Sequence, residues 1–76
     1  MARGDGLTLL SRRMLAVLRY RGDWMSGEQL ANALQYKALS GYHITLLKRM
    51  SDKGLIERRR YRTPTWDLVY EYRVKP

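Results

Sequence analysis

The sequence predicts an α+β fold, three helices followed by a two-stranded β-hairpin. Three observations carry that expectation. Apolar residues recur at helical spacing in three short stretches, each opening on a Ser or Thr. After Gly54 the apolar period changes from about 3.6 residues to two. No low-complexity linker divides the 76 residues, so the segments are expected to share one core. Residues 1–7 read as a flexible N-terminus and residues 8–76 as the folded domain.

In the first helix, residues 8–21, Leu10, Met14, Val17 and Leu18 fall at i, i+4, i+7 and i+8, one face of a helix. Thr8 or Ser11 can cap its start. Gly22 stands where a left-handed residue ends a helix, and Arg12, Arg13, Arg19 and Arg21 lie largely off the apolar stripe. The second helix opens on Ser26-Gly27-Glu28-Gln29, a capping box with Gln29 three residues after the cap. Leu30, Ala31 and Leu34 form its short apolar face, and Trp24 and Met25 are placed to staple its entry.

Residues 35–39 connect to a third helix capped by Ser40. Ile44, Leu47 and Met50, joined by Leu46, are its expected buried stripe; Tyr42, Thr45, Lys48, Arg49 and Asp52 lie off it. Lys53-Gly54 closes the helix, a cation in the last turn followed by glycine. In the final segment Trp66, Leu68, Tyr70, Tyr72 and Val74 alternate with Asp67, Val69, Glu71 and Arg73, the period of a half-buried strand. Its partner is residues 55–62, and Thr63-Pro64-Thr65 suits the hairpin tip, where proline owes no ladder donor.

Composition narrows the chemistry. With no cysteine, disulfides, thiolate nucleophiles and cysteine zinc sites are excluded, and His43 alone cannot build a histidine metal cluster. The carboxylates of Asp5, Asp23, Glu28, Asp52, Glu57, Asp67 and Glu71 are scattered, and no Gly-rich phosphate loop precedes a helix. No catalytic residue, metal or cofactor is therefore expected, and no enzyme. A chain this short leaves no room for a separate small-molecule pocket. No apolar run approaches the roughly 18 residues of a membrane span, and no secretory signal opens the chain, so a cytoplasmic location is expected.

The net charge of +8 and pI near 10.3 point to a polyanion, either nucleic acid or an anionic membrane surface. Eleven of the fifteen cations are Arg, whose flat forked donors suit phosphates and guanine edges. A short capped helix, a tight connection, a second helix, Gly-Leu-Ile and a basic hairpin together make the winged helix-turn-helix pattern. In that pattern the third helix enters the major groove and the hairpin reaches the flanking backbone or the minor groove.

The candidate surface has three parts. On the third helix, Ser40, Gly41, Tyr42, His43 and Thr45 would face base edges, while Lys48 and Arg49 would sit near phosphates. The plainer readings are a partly buried Tyr42 and a surface or capping His43. On the wing, Arg58, Arg59, Arg60, Arg62 and Thr63 would take the backbone. The plainer reading there is an edge kept basic against strand pairing. Arg58, Arg60 and Arg62 share one strand face and Arg59 and Tyr61 the other, and one of these faces is expected to be sheltered by the returning strand. Ser26, at the second helix start, could bond a phosphate or simply cap. Arg12, Arg13 and Arg19, with Arg3, add charge or form a solvated face.

Trp24-Met25-Ser26-Gly27-Glu28-Gln29-Leu30-Ala31 is similar to the second-helix start of bacterial winged-helix regulators. Leu46-Leu47-Lys48-Arg49-Met50-Ser51-Asp52-Lys53-Gly54-Leu55-Ile56-Glu57-Arg58 resembles the recognition-helix end and wing start of MarR-like and PadR-like repressors. Tyr70-Glu71-Tyr72-Arg73-Val74 resembles the returning wing strand of PadR-like proteins. The resemblance spans residues 8–75 and implies a sequence-specific double-stranded DNA-binding protein, a small transcriptional regulator associated with the nucleoid. Those families usually add a dimerising helix beyond the wing, which these 76 residues do not include, so a homodimer stays an open expectation. The tip Thr63-Pro64-Thr65-Trp66 is also similar to that of Z-form nucleic-acid binding domains, whose recognition helix has an Asn and a Tyr where Ile44 and Lys48 stand here. Two rival functions are a protein-interaction adaptor, with the six tyrosines and two tryptophans as a sticky face, and RNA binding through the basic wing.

Overall fold

The computed structural model describes residues 7–75, with Tyr61 by its backbone alone. The elements run α1 (Leu9–Arg21), β1 (Met25–Ser26), α2 (Gly27–Ala33), α3 (Gly41–Asp52), β2 (Ile56–Arg62) and β3 (Leu68–Val74). The flexible terminus expected over residues 1–7, and Arg3 with it, falls outside the described residues except for Leu7. Leu7 is half-buried and packs against the core.

Side-chain caps set the helix starts. Thr8 caps α1, its hydroxyl accepting from the Ser11 N–H at 3.1 Å. Ser11, the other cap candidate, lies inside the helix and is buried, its oxygen accepting from the Thr8 hydroxyl at 3.1 Å. Gly22 ends the helix at φ +71°, a conformation that costs glycine little, and its N–H donates to the Leu18 carbonyl at 3.0 Å. Ser26 and Gln29 close the capping box of α2 with reciprocal 3.0 Å bonds. The apolar stripe of α1 is turned relative to expectation. Ser11, Met14, Leu15 and Leu18 are buried, while Leu10 and Val17 are only half-buried.

The larger correction is on α3. His43, Leu46, Leu47 and Met50 point inward, and Ile44, expected in the core, is 39% exposed. Two overlapping stripes were available, one starting at residue 43 and one at residue 44. Leu46 and Met50 share a face with His43, so burying them together turns Ile44 out.

The sheet has three antiparallel strands in the order β1-β3-β2, rather than the hairpin alone. The added strand is short and pairs Met25 with Tyr72 and Ser26 with Glu71. It carries Met25 into the core, where Met14, Leu18, Leu30, Leu47, Met50, Ile56 and Tyr72 are fully buried. Each such side chain stabilises the fold by about 1.5–3 kcal/mol through area removed from water. Strand β3 contributes to this core only near its end. Tyr72 is buried and Tyr70 and Val74 half-buried, but Leu68 is exposed. Trp66, expected in the strand, lies before it in the tip and is 76% exposed. The distal hairpin therefore overhangs the helical body, which agrees with an elongated molecule of 46 × 25 × 22 Å.

Candidate nucleic-acid interface

The first half of the surface is the outward side of α3. Its start is fixed by Ser40 and His43. The Ser40 N–H donates to His43 Nδ1 at 3.0 Å, and the Ser40 hydroxyl lies 2.8 Å from the same nitrogen. An Nδ1 that accepts a backbone N–H leaves the ring proton on Nε2, which is buried and has no hydrogen-bond partner among the described residues. The ring meets Tyr36 edge-on at 4.9 Å between centroids. His43 is thus a cap and core residue, which removes it from the expected base-reading set. Ser40 stays at the surface, but its hydroxyl is engaged in the same cap. Ser26 likewise serves as the cap of α2.

Turning His43 inward leaves Gly41, Tyr42, Ile44, Thr45, Lys48 and Arg49 exposed along α3. Thr45 donates its hydroxyl proton to the Gly41 carbonyl at 3.0 Å. The acid on this side is Asp52, in the last turn.

The second half is the hairpin. Its strands join edge to edge, so neither shelters a face of the other, contrary to the expectation from sequence. Both faces of the overhang are open, and they differ in how their charges are matched. One face carries Ile56, Arg58, Arg60 and Arg62, which stand opposite Val74, Tyr72, Tyr70 and Leu68. Because Ile56 and Tyr72 are buried under the helices, this is the helix-side face. Its arginines have no carboxylate partner among the described residues. Arg58 lies over the Tyr70 ring at 5.8 Å, and Arg62 lies over the Trp66 ring at 5.9 Å while donating to the Trp66 carbonyl at 3.2 Å. An open recess on the wing is lined by Arg58, Arg59, Arg60 and Tyr70.

The outer face pairs its charges. Arg59 donates to Glu71 Oε1 at 2.8 Å through Nε and lies 2.7 Å from it through Nη2. Arg73 donates to Glu57 Oε1 at 2.6 Å. Both guanidinium groups also lie over the indole of Trp24, at 4.1 and 4.6 Å. Arg59 is thus neutralised where it stands. Thr63, expected to take the backbone, has partners of its own. Its hydroxyl is 2.9 Å from that of Thr65 and accepts from the Asp67 N–H at 3.2 Å, holding the tip together.

Burial raises the pKa of Tyr72 above the ordinary tyrosine value, and the facing Arg58 partly offsets the rise. Among the described residues no group of His, Asp and Glu could hold a metal. No helix there is long and apolar enough to cross a membrane.

Sequence reasoning missed two surface residues. Ile44 lies off the buried stripe of α3, and Trp66 lies in the tip rather than in the strand. The signal for Ile44 lay in Leu46 and Met50, which together require position 43 to point inward. For Trp66 it lay in Asp67, whose carbonyl and side chain close the tip with Thr63 and Thr65 and so end the ladder before Trp66.

No protein-family model matches the chain, and no curated protein does. Solved structures do. A possible transcriptional regulator from Methanosarcina mazei Go1 superposes with a TM-score of 0.76 at 17% identity, over 92% of this chain and 57% of that one. The transcriptional regulator PA4135 superposes with a TM-score of 0.66 at 29% identity, over 93% of this chain and 48% of that one. The chain has the winged-helix fold. Its α+β arrangement of three helices and a hairpin is the one expected from the sequence, with β1 added to the hairpin. It spans about half the length of the regulators it matches.

Proposed function

We propose that this winged-helix domain binds double-stranded DNA and acts in transcriptional regulation at the nucleoid. The observation that carries the reading is the row Arg58, Arg60 and Arg62, exposed, without carboxylate partners among the described residues, and on the sheet face that lies against the helices. Strand β2 follows α3 after only three residues and packs against it, which supports reading this row and the Lys48 and Arg49 of α3 as one cationic surface. Cations in that arrangement suit a phosphate backbone. The names of both structural neighbours, transcriptional regulators, support the same role.

In this reading α3 enters the major groove with Tyr42, Ile44, Thr45 and Arg49 near base edges. Arg49 can take a guanine bidentately, and Ile44 can lie against a thymine methyl. Lys48 and the wing arginines hold the flanking backbone, and Gly41 lets the start of α3 approach closely. The reading involves no catalysis, cofactor or small-molecule ligand.

The experiment is selection of bound sequences from a random duplex pool at physiological salt. A recovered motif supports sequence-specific recognition, and a palindromic one adds a homodimer. A pool that stays random, with affinity vanishing at that salt, rejects the reading in favour of a protein-interaction adaptor. Leu9 and Tyr20, 75% and 95% exposed on α1, are the surface such an adaptor would use. Structured RNA that outcompetes duplex DNA of equal length would reassign the ligand.

A further inference from the structure

The wing tip presents an aromatic side chain in a conformation that its residue type disfavours. Trp66 sits at φ +66°, a left-handed region that a bulky side chain rarely adopts. The turn holds it there. The Trp66 N–H donates to the Thr63 carbonyl at 2.8 Å, and the Thr63 N–H donates to the Asp67 carbonyl at 2.9 Å. The Thr65 hydroxyl donates to Asp67 Oδ2 at 3.0 Å, and Arg62 donates to the Trp66 carbonyl at 3.2 Å. Glycine would meet the backbone requirement without strain, yet the position holds the largest apolar side chain, 76% exposed, with Leu68 47% exposed beside it. Gln35 takes a similar φ of +69° in the turn after α2, so what sets Trp66 apart is a large apolar side chain held exposed in that conformation.

The neighbours of Trp66 define what it can meet. Arg58, Arg60 and Arg62 lead to it along one strand face, each about 6.7 Å from the next at ordinary strand rise. A ligand must offer spaced negative charge beside a flat apolar surface. A nucleic-acid strand has both, its phosphates for the arginines and a base face for the indole. An anionic membrane also offers charge and apolar depth, but one indole and one leucine bury little there, and the arginines form a line rather than a ring around them.

We propose that Trp66 is a stacking wedge, inserted by the wing at a base step that is unpaired or easily unstacked, so that the domain prefers duplexes opened at one point. This rests on the DNA-binding reading above and adds the kind of site that binding selects. The arginine row anchors the backbone on one side of the opened step, and the indole replaces the lost stacking neighbour. Leu68 follows on the same side of the hairpin as a second apolar surface.

The test compares two duplexes of the same sequence, one fully paired and one with a single unpaired adenine, by fluorescence anisotropy at physiological salt. The folded protein is expected to bind the bulged duplex about ten-fold more tightly, within the range that base–aromatic stacking supports. Trp66→Ala is expected to abolish that preference and leave affinity for the paired duplex within about two-fold, since Arg58 and Arg60 are untouched and Arg62 loses only its contact with the indole. Trp66→Tyr, which keeps a ring, is expected to retain part of the preference, and thermal melting checks that both variants fold. Equal affinity of the unaltered protein for the two duplexes overturns the wedge and leaves the DNA-binding reading intact. A preference that survives Trp66→Ala also overturns it. No binding to either duplex overturns both. Vesicles of phosphatidylserine and phosphatidylcholine form the last arm, and Trp66-dependent capture by them that exceeds DNA binding transfers the tip to a membrane role.

Discussion

Both faces of the wing carry arginines, yet they have different electrostatic characters. On the outer face Arg59 and Arg73 are matched to Glu71 and Glu57 and lie over Trp24. On the helix-side face Arg58, Arg60 and Arg62 stand opposite Tyr72, Tyr70 and Leu68, which offer no carboxylate. The cross-strand partner decides which arginine is available, not the density of arginine in the run. Matched exposed pairs contribute little stability, about 0–1 kcal/mol, but they withdraw cations from a ligand.

Substitutions that treat the faces unequally test this contrast. The largest effect is expected from Arg58→Ala with Arg60→Ala. Six neutralised phosphates give a slope of about −5.4 for log affinity against log salt, and losing two flattens it to about −3.6. The double variant should weaken all duplexes alike, by tenfold or more on the order set by counterion release, in salt-titrated anisotropy. If Arg59→Ala has the same effect, the contrast between faces is broken. Replacing Arg49 or Ile44 by alanine should instead cost about 1–3 kcal/mol at individual bases and change the selected motif, because those side chains project from α3. A loss that is uniform across sequences would move them to the backbone-binding set.

Smaller effects sharpen the picture. His43→Ala removes half of the α3 capping box and should cost about 1 kcal/mol in urea unfolding, whereas His43→Gln restores a residue type suited to that box and should cost less. Neither variant should alter the motif if His43 is buried as described. Glu71→Gln releases Arg59, so duplex affinity should rise about two-fold and the salt slope steepen by at most about 0.9.

The smallest effect lies at alkaline pH. Burial holds the Tyr72 pKa above its ordinary 10.0, so the folded state keeps this proton longer than the unfolded state. The resulting stability is fully present below pH 10 and is lost as pH rises through the higher folded value. Tyr72→Phe should lack this part of the alkaline decline in urea midpoints measured between about pH 8 and 11.

The helix starts were legible because capping has a local chemistry. Thr8, Ser26 with Gln29, and Ser40 each stand a fixed distance before the amides they satisfy. Gly22 and Gly54 marked helix ends for the same reason, both adopting positive φ. Strand β1 was hidden because two residues carry no period. Met25-Ser26 reads as a helix entry until Tyr72 and Glu71 are brought beside it. The α3 stripe misled because a histidine was buried in place of an isoleucine, a choice set by the cap it makes. On the candidate surface, the outward placement of Thr45, Lys48 and Arg49 followed from the sequence pattern alone. The partners of Arg59 and Thr63 were not legible, because they depend on pairing register and tip geometry, which join residues up to twelve positions apart.

The wing's chemistry also depends on parity. Side chains alternate strictly along β2, and Ile56 is anchored in the core, so each later residue takes its face from whether an even or odd number of positions separates it from that anchor. Deleting Glu57 would move Arg59 to the helix side and send Arg58, Arg60 and Arg62 outward. A single lost codon, with almost no change in composition, would turn the domain's charged surface inside out.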